Sequence, residues 1–378
     1  MAVRKAALED VVTTFRGAYA GKRVLVTGHT GFKGSWLSTW LLKMGADVTG
    51  VSRDVPTKPA MFEELGLARR LRHCELDIRD LTALRSLVRE VRPDFVFHLA
   101  AQAIVSRSYA DPVETITTNA IGTMNVLECL RSVDTPCAAV FITSDKCYDN
   151  VEWVWGYRET DALGGKDVYS GSKGAAELVI KCYVQSFFKD SPVRIAVGRA
   201  GNVIGGGDWA KDRIVVDCVR AWSDGHSVEI RSPRATRPWQ HVLEPLSGYL
   251  TLGLALSGSQ AQHGEAFNFG PRAEQSHTVV ELLSDLARRW GFERAEDAYR
   301  ITANLPFHEA GLLKLNCDKA LLHLRWEPNL EYPETIRFLS DWYYAYYREK
   351  RDMYALTLDQ LARYEELGQQ RCRTWTLI

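Results

Sequence analysis

Residues 22–36 read KRVLVTGHTGFKGSW, a short β-branched run that breaks into glycines at 28, 31 and 34 and then into helix-forming sequence from about Gly34. Glycines spaced G-x-x-G-x-x-G at a strand-to-helix junction permit a tight turn. They also let backbone approach a pyrophosphate, whose charge is met by the helix N-terminus. A glycine triplet alone is weak evidence; its place in the first β-to-α repeat makes it the expected phosphate loop of a dinucleotide site. The residues expected to form that loop are Gly28, Thr30, Gly31, Phe32 and Gly34.

Outward from this stretch the same rhythm repeats. Short apolar runs (ADVTGVS, HCELDI, DFVFHLAA, AAVFITS, VRIAVGRAGNV) alternate with helical patterns near 60–71, 80–91, 112–133 and 168–187. Continuous apolar strands separated by amphipathic helices are the mark of a parallel sheet covered on both faces. The expected fold class is therefore α/β, a doubly wound parallel sheet of the Rossmann type with a smaller, mostly C-terminal α/β substrate lobe. After Asn202 the rhythm gives way to Gly-rich VIGGGDW and Arg/Pro-rich RSPRATRPWQHV, followed by helical patterns near 278–291 and 333–349. The expected division is an N-terminal helical extension over 1–20, a dinucleotide-binding domain over 21–202, a substrate lobe over 203–345 with segments returning to the sheet, and a helical tail over 346–378. The first 20 residues and TLDQLARYEELGQQ near the end read as peripheral helices.

The chain balances 47 Lys and Arg against 47 Asp and Glu over 378 residues. Non-specific nucleic-acid affinity needs excess cationic charge, so no nucleic-acid partner is expected. No apolar run approaches the roughly 18–20 residues that span a bilayer, and no membrane partner is expected. The opening MAVRKAALEDVVTTF carries acidic residues where a secretory signal needs an uninterrupted apolar stretch. The eight cysteines include no CxxC pair, which points to reduced thiols in the cytoplasm rather than a zinc ribbon or redox dithiol. His308-Glu309 lacks a second histidine at 312, which is Leu, so no metal is expected.

The position where a Rossmann site holds the adenosine ribose is Ser52, followed by Arg53. Arg53 meets a 2′-phosphate or is a solvated loop charge, which leaves NAD and NADP both open. Asp77 and Ile78 would bracket the adenine; Leu99 and the small Ala100 and Ala101 would lie against the cofactor. Asn119 is either a cofactor-side orienting residue or a helix Asn with a local hydrogen bond. Tyr169 and Lys173 stand at i and i+4, one turn apart on a helix face. An ammonium near a phenol favours phenolate, making a proton acceptor for an alcohol undergoing oxidation. At the end of the fifth strand lies Ser144-Asp145-Lys146. Alcohol oxidation needs only Ser144, Tyr169 and Lys173, so Asp145 and Lys146 imply a second chemical event, or else form an exposed salt-bridged turn. Asn202 would hold sugar or phosphate, or is a turn residue. Trp209 packs, or lines a base pocket.

TGHTGFKGSW, HLAAQ, TSDKCY, the Tyr-x-x-x-Lys spacing, RAGNVIGGGDWAKDR and TRPWQHVLEPLSGYL together resemble the extended short-chain dehydrogenase/reductase family, in its NAD-dependent epimerase/dehydratase branch. The likeness runs from about Lys22 to about Asp341, and GHTGFKGSW and SDKCY are its most specific parts. It implies a lyase that 4,6-dehydrates a CDP-sugar, CDP-D-glucose, with NAD as a temporary hydride store. Tyr169 would take the proton of the 4-hydroxyl as hydride leaves C4. Lys146 would remove the C5 proton, Asp145 would protonate the departing 6-hydroxyl, and hydride would return to C6. In related dTDP-glucose enzymes the base is Glu, so Lys146 must shed its proton near neutral pH. Arginines suit the diphosphate because a guanidinium binds it bidentately. Of Arg213, Arg231, Arg234 and Arg237 the favoured one is Arg237, beside Trp239, with Arg213 next; each is otherwise a surface charge. Gln102 belongs to the sugar side, although Ala103 and Ser106 stand where Pro and Arg are expected. The resemblance also implies a homodimer built by the helices near 112–133 and 168–187 as a four-helix bundle. Competing readings are a dehydratase acting on a different nucleotide sugar, an NAD(P)-dependent nucleotide-sugar epimerase or reductase, which leaves Asp145 and Lys146 unused, and a non-catalytic cofactor sensor, which has no need of Tyr169.

Overall fold

A computed structural model describes residues 14–230, 233–272, 274–302 and 313–377. Arg231, the 308–312 stretch and most of the expected N-terminal extension lie outside the described residues. The centre is a seven-stranded sheet, every neighbouring pair parallel, of strands β1 (Arg23–Thr27), β2 (Asp47–Ser52), β3 (Arg72–Glu75), β4 (Phe95–His98), β5 (Cys137–Ile142), β6 (Val193–Arg199) and β7 (Ala266–Asn268). Their order is β7-β6-β5-β4-β1-β2-β3. The chain winds from β1 one way to β3, then returns on the other side of β1, so a crevice opens beyond the carboxyl ends of β1 and β4.

Side chains alternate between the two faces, and both faces are dry. Val24, Val26, Phe95, Phe97, Ala138 and Val140 enter one buried cluster; Leu25, Val96, Ala139, Phe141 and Ile195 enter the other. The first face is covered by α1 (Phe32–Lys43), which starts at Phe32, two residues earlier than Gly34. The second is covered by α2 (Leu81–Val91) and by a helical run over 112–130. That run comprises α3 (Pro112–Ile116), a π turn (Thr117–Gly122) and α4 (Thr123–Leu130). Helix α5 (Val168–Phe187) lies beside it and starts at the capping Asp167, whose carboxylate accepts from Ser170 N–H at 3.0 Å. The helix expected near 60–71 is broken by Gly66, at φ 59°, into Met61–Glu64 and a short 3-10 turn.

Beyond residue 202, helix α6 (Leu243–Gly258), apolar on nearly all sides, packs against the first face, and β7 extends the sheet next to β6. The rest builds short two-stranded pairs and helices α7 (Val279–Trp290) and α8 (Tyr332–Tyr344).

Among the described residues, neither Phe15 and Tyr19 near the start nor the tail is peripheral. Helix α9 (Met353–Gln370) sends Glu365 to Trp40 Nε1 at 2.8 Å and to Lys43 Nζ at 2.5 Å, both on α1. Trp375 is stacked between Phe15 and Tyr364, with ring centroids 5.4 Å away in each case. The amphipathic pattern of the tail hides its burial because its apolar face meets a helix more than 300 residues earlier. Trp375→Ala, which opens this stack, should lower stability by about 3–5 kcal/mol, read as a lower denaturant midpoint; an unchanged midpoint would return the tail to the periphery.

Candidate active site

The loop after β1 is built by exclusion of side chains. Gly28 has φ +77°, and a Cβ on it would lie 2.7 Å from Ala100 N; a Cβ on Gly34 would lie 2.1 Å from Gly28 O. Only glycine at both points lets the first turn of α1 sit directly on the strand, and the first N–H groups of a helix have no intrahelical partner. That cradle fits the pyrophosphate of a dinucleotide. Gly31 is the residue before α1, and Phe32 and Lys33 begin it.

Below the loop, Ser52 accepts from Thr30 N–H at 3.2 Å and pairs with His29 Nδ1 at 3.0 Å, while His29 Nε2 meets His73 Nδ1 at 2.8 Å. Ser52 is therefore a buried prop under the loop. His29 is buried, which pushes it down to about 4, and Gly50 is required because a Cβ there would lie 2.3 Å from the imidazole. Thr30 Oγ1 donates to Asp54 O at 2.7 Å. Arg53 is held by Asp54 at 3.0 Å and by Glu114 at 2.7 Å. Asp77 is engaged by Arg79, whose guanidinium holds it below its ordinary range, and Ile78 is buried against Gly122. Leu99, Ala100 and Ala101 follow β4 and are half-buried at the crevice.

Asn119 lies in the π turn and joins three segments. Its Oδ1 accepts from Gln102 N–H at 2.8 Å, and its Nδ2 donates to Gln102 O at 3.0 Å and to Ser172 Oγ at 2.8 Å. Such turns are frequent at functional sites. Gln102 donates to Thr115 Oγ1 at 2.9 Å and accepts from Ile104 N–H at 2.6 Å. Both ends of its amide are engaged within the chain, so it orders the loop after β4.

The residues expected to handle protons lie together beyond β5. Ser144, Asp145, Tyr169 and Lys173 are all buried; Lys146 is half-buried. Ser144 Oγ donates to Asp145 Oδ1 at 2.8 Å and accepts from Lys146 N–H at 3.2 Å. Burial raises Tyr169 to about 12, opposed by a hydrogen bond with Ser144. Lys173 does not dominate that balance: its own desolvation pushes it down to about 8. Asp145 sits in a slot that only Gly201 permits, since a Cβ on Gly201 would lie 1.9 Å from Asp145 Oδ2. Lys33, which sequence reasoning passed over, is pushed down to about 8 by burial and by the Arg213 cation, with Asp145 opposing. Its signal was a cation inside the glycine motif.

Asn202, half-buried, adopts φ +48°, a left-handed value Asn tolerates, at the end of β6. Arg213 is exposed at the start of a helix (Ile214–Ser223) and lies within electrostatic range of Tyr169 and Asp208. Arg237 is half-buried, donating to Thr236 O at 3.0 Å, and Trp239 is buried next to it with an indole N–H that has no partner among the described residues. Trp209 is 1% exposed, enclosed by Trp342, Tyr343 and Tyr346, and donates to Tyr347 Oη at 3.0 Å. With its ring enclosed it packs the lobe and has no face for a base. No group of three or more His, Cys, Asp or Glu able to hold a metal is present among the described residues.

Residues 25–339 match the model of a protein family described as GDP-mannose 4,6 dehydratase. The chain is 48% identical over 337 residues to CDP-glucose 4,6-dehydratase of Salmonella typhimurium, covering 87% of this chain and 92% of that protein. It is 24% identical over 348 residues to dTDP-glucose 4,6-dehydratase of Haemophilus influenzae, covering 85% and 97%. Among solved structures, a double mutant of DesIV, a dTDP-glucose 4,6-dehydratase from Streptomyces venezuelae with NAD and DAU bound, aligns with a TM-score of 0.73 at 22% identity, over 87% of this chain and 98% of that one. That likeness establishes the shared fold.

Gly34→Ala should weaken dinucleotide binding roughly tenfold or more, the equivalent of about 1.4 kcal/mol, as measured by calorimetry. Unchanged affinity would remove the cradle from the cofactor site.

Proposed function

The chain belongs to the GDP-mannose 4,6-dehydratase family, and from that premise we propose that it is a hydro-lyase converting CDP-D-glucose to CDP-4-keto-6-deoxy-D-glucose. The observation that carries this reading is the turn Ser144-Asp145-Lys146: a buried acid and a half-buried amine set beside Tyr169 and Lys173. An epimerase or reductase has work for Ser144, Tyr169 and Lys173 alone. The 48% identity to a CDP-glucose 4,6-dehydratase supports the substrate.

Bound NAD supplies the oxidant for C4 and the reductant for C6, so the reaction has no net redox change. Tyr169, hydrogen-bonded to Ser144, accepts the proton of the sugar 4-hydroxyl. The Lys173 cation, one helical turn on, stabilises the phenolate so formed and offsets the cost of its burial. The 4-ketone acidifies C5; Lys146 removes that proton, and Asp145, in its slot against Gly201, protonates the departing 6-hydroxyl. The diphosphate is met by Arg213 and Arg237, with Trp239 and Asn202 lining the sugar side. Arg53 is already paired with two carboxylates, Asp54 and Glu114; these repel a 2′-phosphate and favour NAD over NADP. The protein works in the cytoplasm as a homodimer. Exposed Val113 (71%), Leu178 (54%) and Phe187 (48%) on α3 and α5 give those helices an apolar face to pair.

Incubation with CDP-glucose should give loss of one water by mass spectrometry with no consumption of added NAD(P)H. Unchanged mass with altered stereochemistry would make it an epimerase, and no conversion of any nucleotide sugar a sensor. Tyr169→Phe should lower kcat by roughly 10²–10⁴-fold. Lys146→Met should stop release of the C5 proton to solvent; release at the native rate would exclude Lys146 as the base. Lys173 acts as the ammonium and is pushed down to about 8, so kcat should fall along an alkaline limb near that pH.

A further inference from the structure

A buried ion pair that takes no direct part in the proton transfers spans the base of the site. Arg199 ends β6, and Glu177 stands on α5 one turn beyond Lys173; both side chains are 4% exposed. The pair is bidentate, Nε to Oε1 at 2.8 Å and Nη2 to Oε2 at 2.9 Å. Each partner also grips one end of the segment that carries the acid and base. Thr143 Oγ1, just before Ser144, donates to Glu177 Oε1 at 2.5 Å. Arg199 Nη1 donates to the hydroxyl of Tyr148, just after Cys147, at 2.7 Å, and its guanidinium lies 4.8 Å from the Tyr148 ring centre. Tyr148 in turn donates to Asn268 Oδ1 on β7 at 2.8 Å.

We propose that Arg199 and Glu177 are positioning residues whose ion pair sets the Ser144-Asp145-Lys146 turn against the helix bearing Tyr169 and Lys173. The inference rests on the dehydratase reading, since that reading needs the turn and the helix in register. A buried pair of this kind adds little net stability, because desolvation offsets its attraction and apolar replacements are often neutral. What it supplies is direction, because a guanidinium fork and a carboxylate meet in one plane. Four residues, 144 to 147, hang between its two anchors.

The pair has a second consequence. Lys173 faces the Lys33 cation from α1, the buried His98 of β4, the thiol of Cys147 and, on its own helix, the Glu177 carboxylate. Burial lowers Lys173, and Cys147 and then Glu177 oppose that fall.

Two variants test the proposal. Arg199→Met combined with Glu177→Leu removes both charges and should keep the thermal midpoint, while kcat falls roughly 100-fold, as for a small misplacement of reacting groups, with KM within about threefold. Glu177→Gln should move the Nζ titration of Lys173, followed by NMR, down by roughly one pH unit, and Glu177→Asp should restore it. The titration does not require turnover. If the wild-type protein fails to dehydrate CDP-glucose, the dehydratase reading falls and the titration alone decides the positioning role. An unshifted Lys173 titration, or a folded double variant with native kcat, overturns the proposal.

Discussion

The constraint on which the rest depends is backbone against backbone, the approach of α1 to the carbonyl of Gly28, which no side chain at position 34 would survive. Because the helix starts so near the strand, its next turns are driven into the protein. Trp36 and Trp40 are fully buried on it, and their indole N–H groups must find partners in the interior. Trp36 donates to Gly206 O, which draws in the Gly-rich loop of the second lobe; Trp40 donates to Glu365, which draws in the tail. The cofactor cradle, the lobe that closes over it and the C-terminal helix are thus organised around one contact.

The same convergence sets the electrostatics. Buried Lys33 lies within electrostatic range of Lys173, of Arg213 at the rim and of the carboxylates of Asp145 and Asp208. Burial pushes Lys33 and Lys173 down to about 8, so their ammonium forms are held at a cost that a bound diphosphate would relieve. Zero net charge over the chain speaks only against long polyanions; local cations serve a small one.

Much of the site was legible from local pattern. Tyr169 and Lys173 share a helix face at any tertiary arrangement, and the glycine loop at the first junction needs no distant partner to be recognised. The partners of Gln102, Ser52 and Trp209 were not legible for a common reason: each is polar or aromatic at a position near the crevice, and its hydrogen bonds or ring faces engage Thr115, His29 and Trp342, residues no spacing rule connects to it. Lys33 was passed over because a motif is read for its glycines.

By itself the sequence determined the parallel sheet, its crossover helices and the order of the phosphate loop, strand-end turn and Tyr-Lys helix, since periodicity and turn chemistry act over a few residues. Only the tertiary structure decided which of those polar groups remain open to a ligand and which are closed off in pairs such as Arg199 with Glu177. Desolvation and hydrogen-bond saturation are set by neighbours that folding brings together from far along the chain, as Trp40 meets Glu365 across 325 residues.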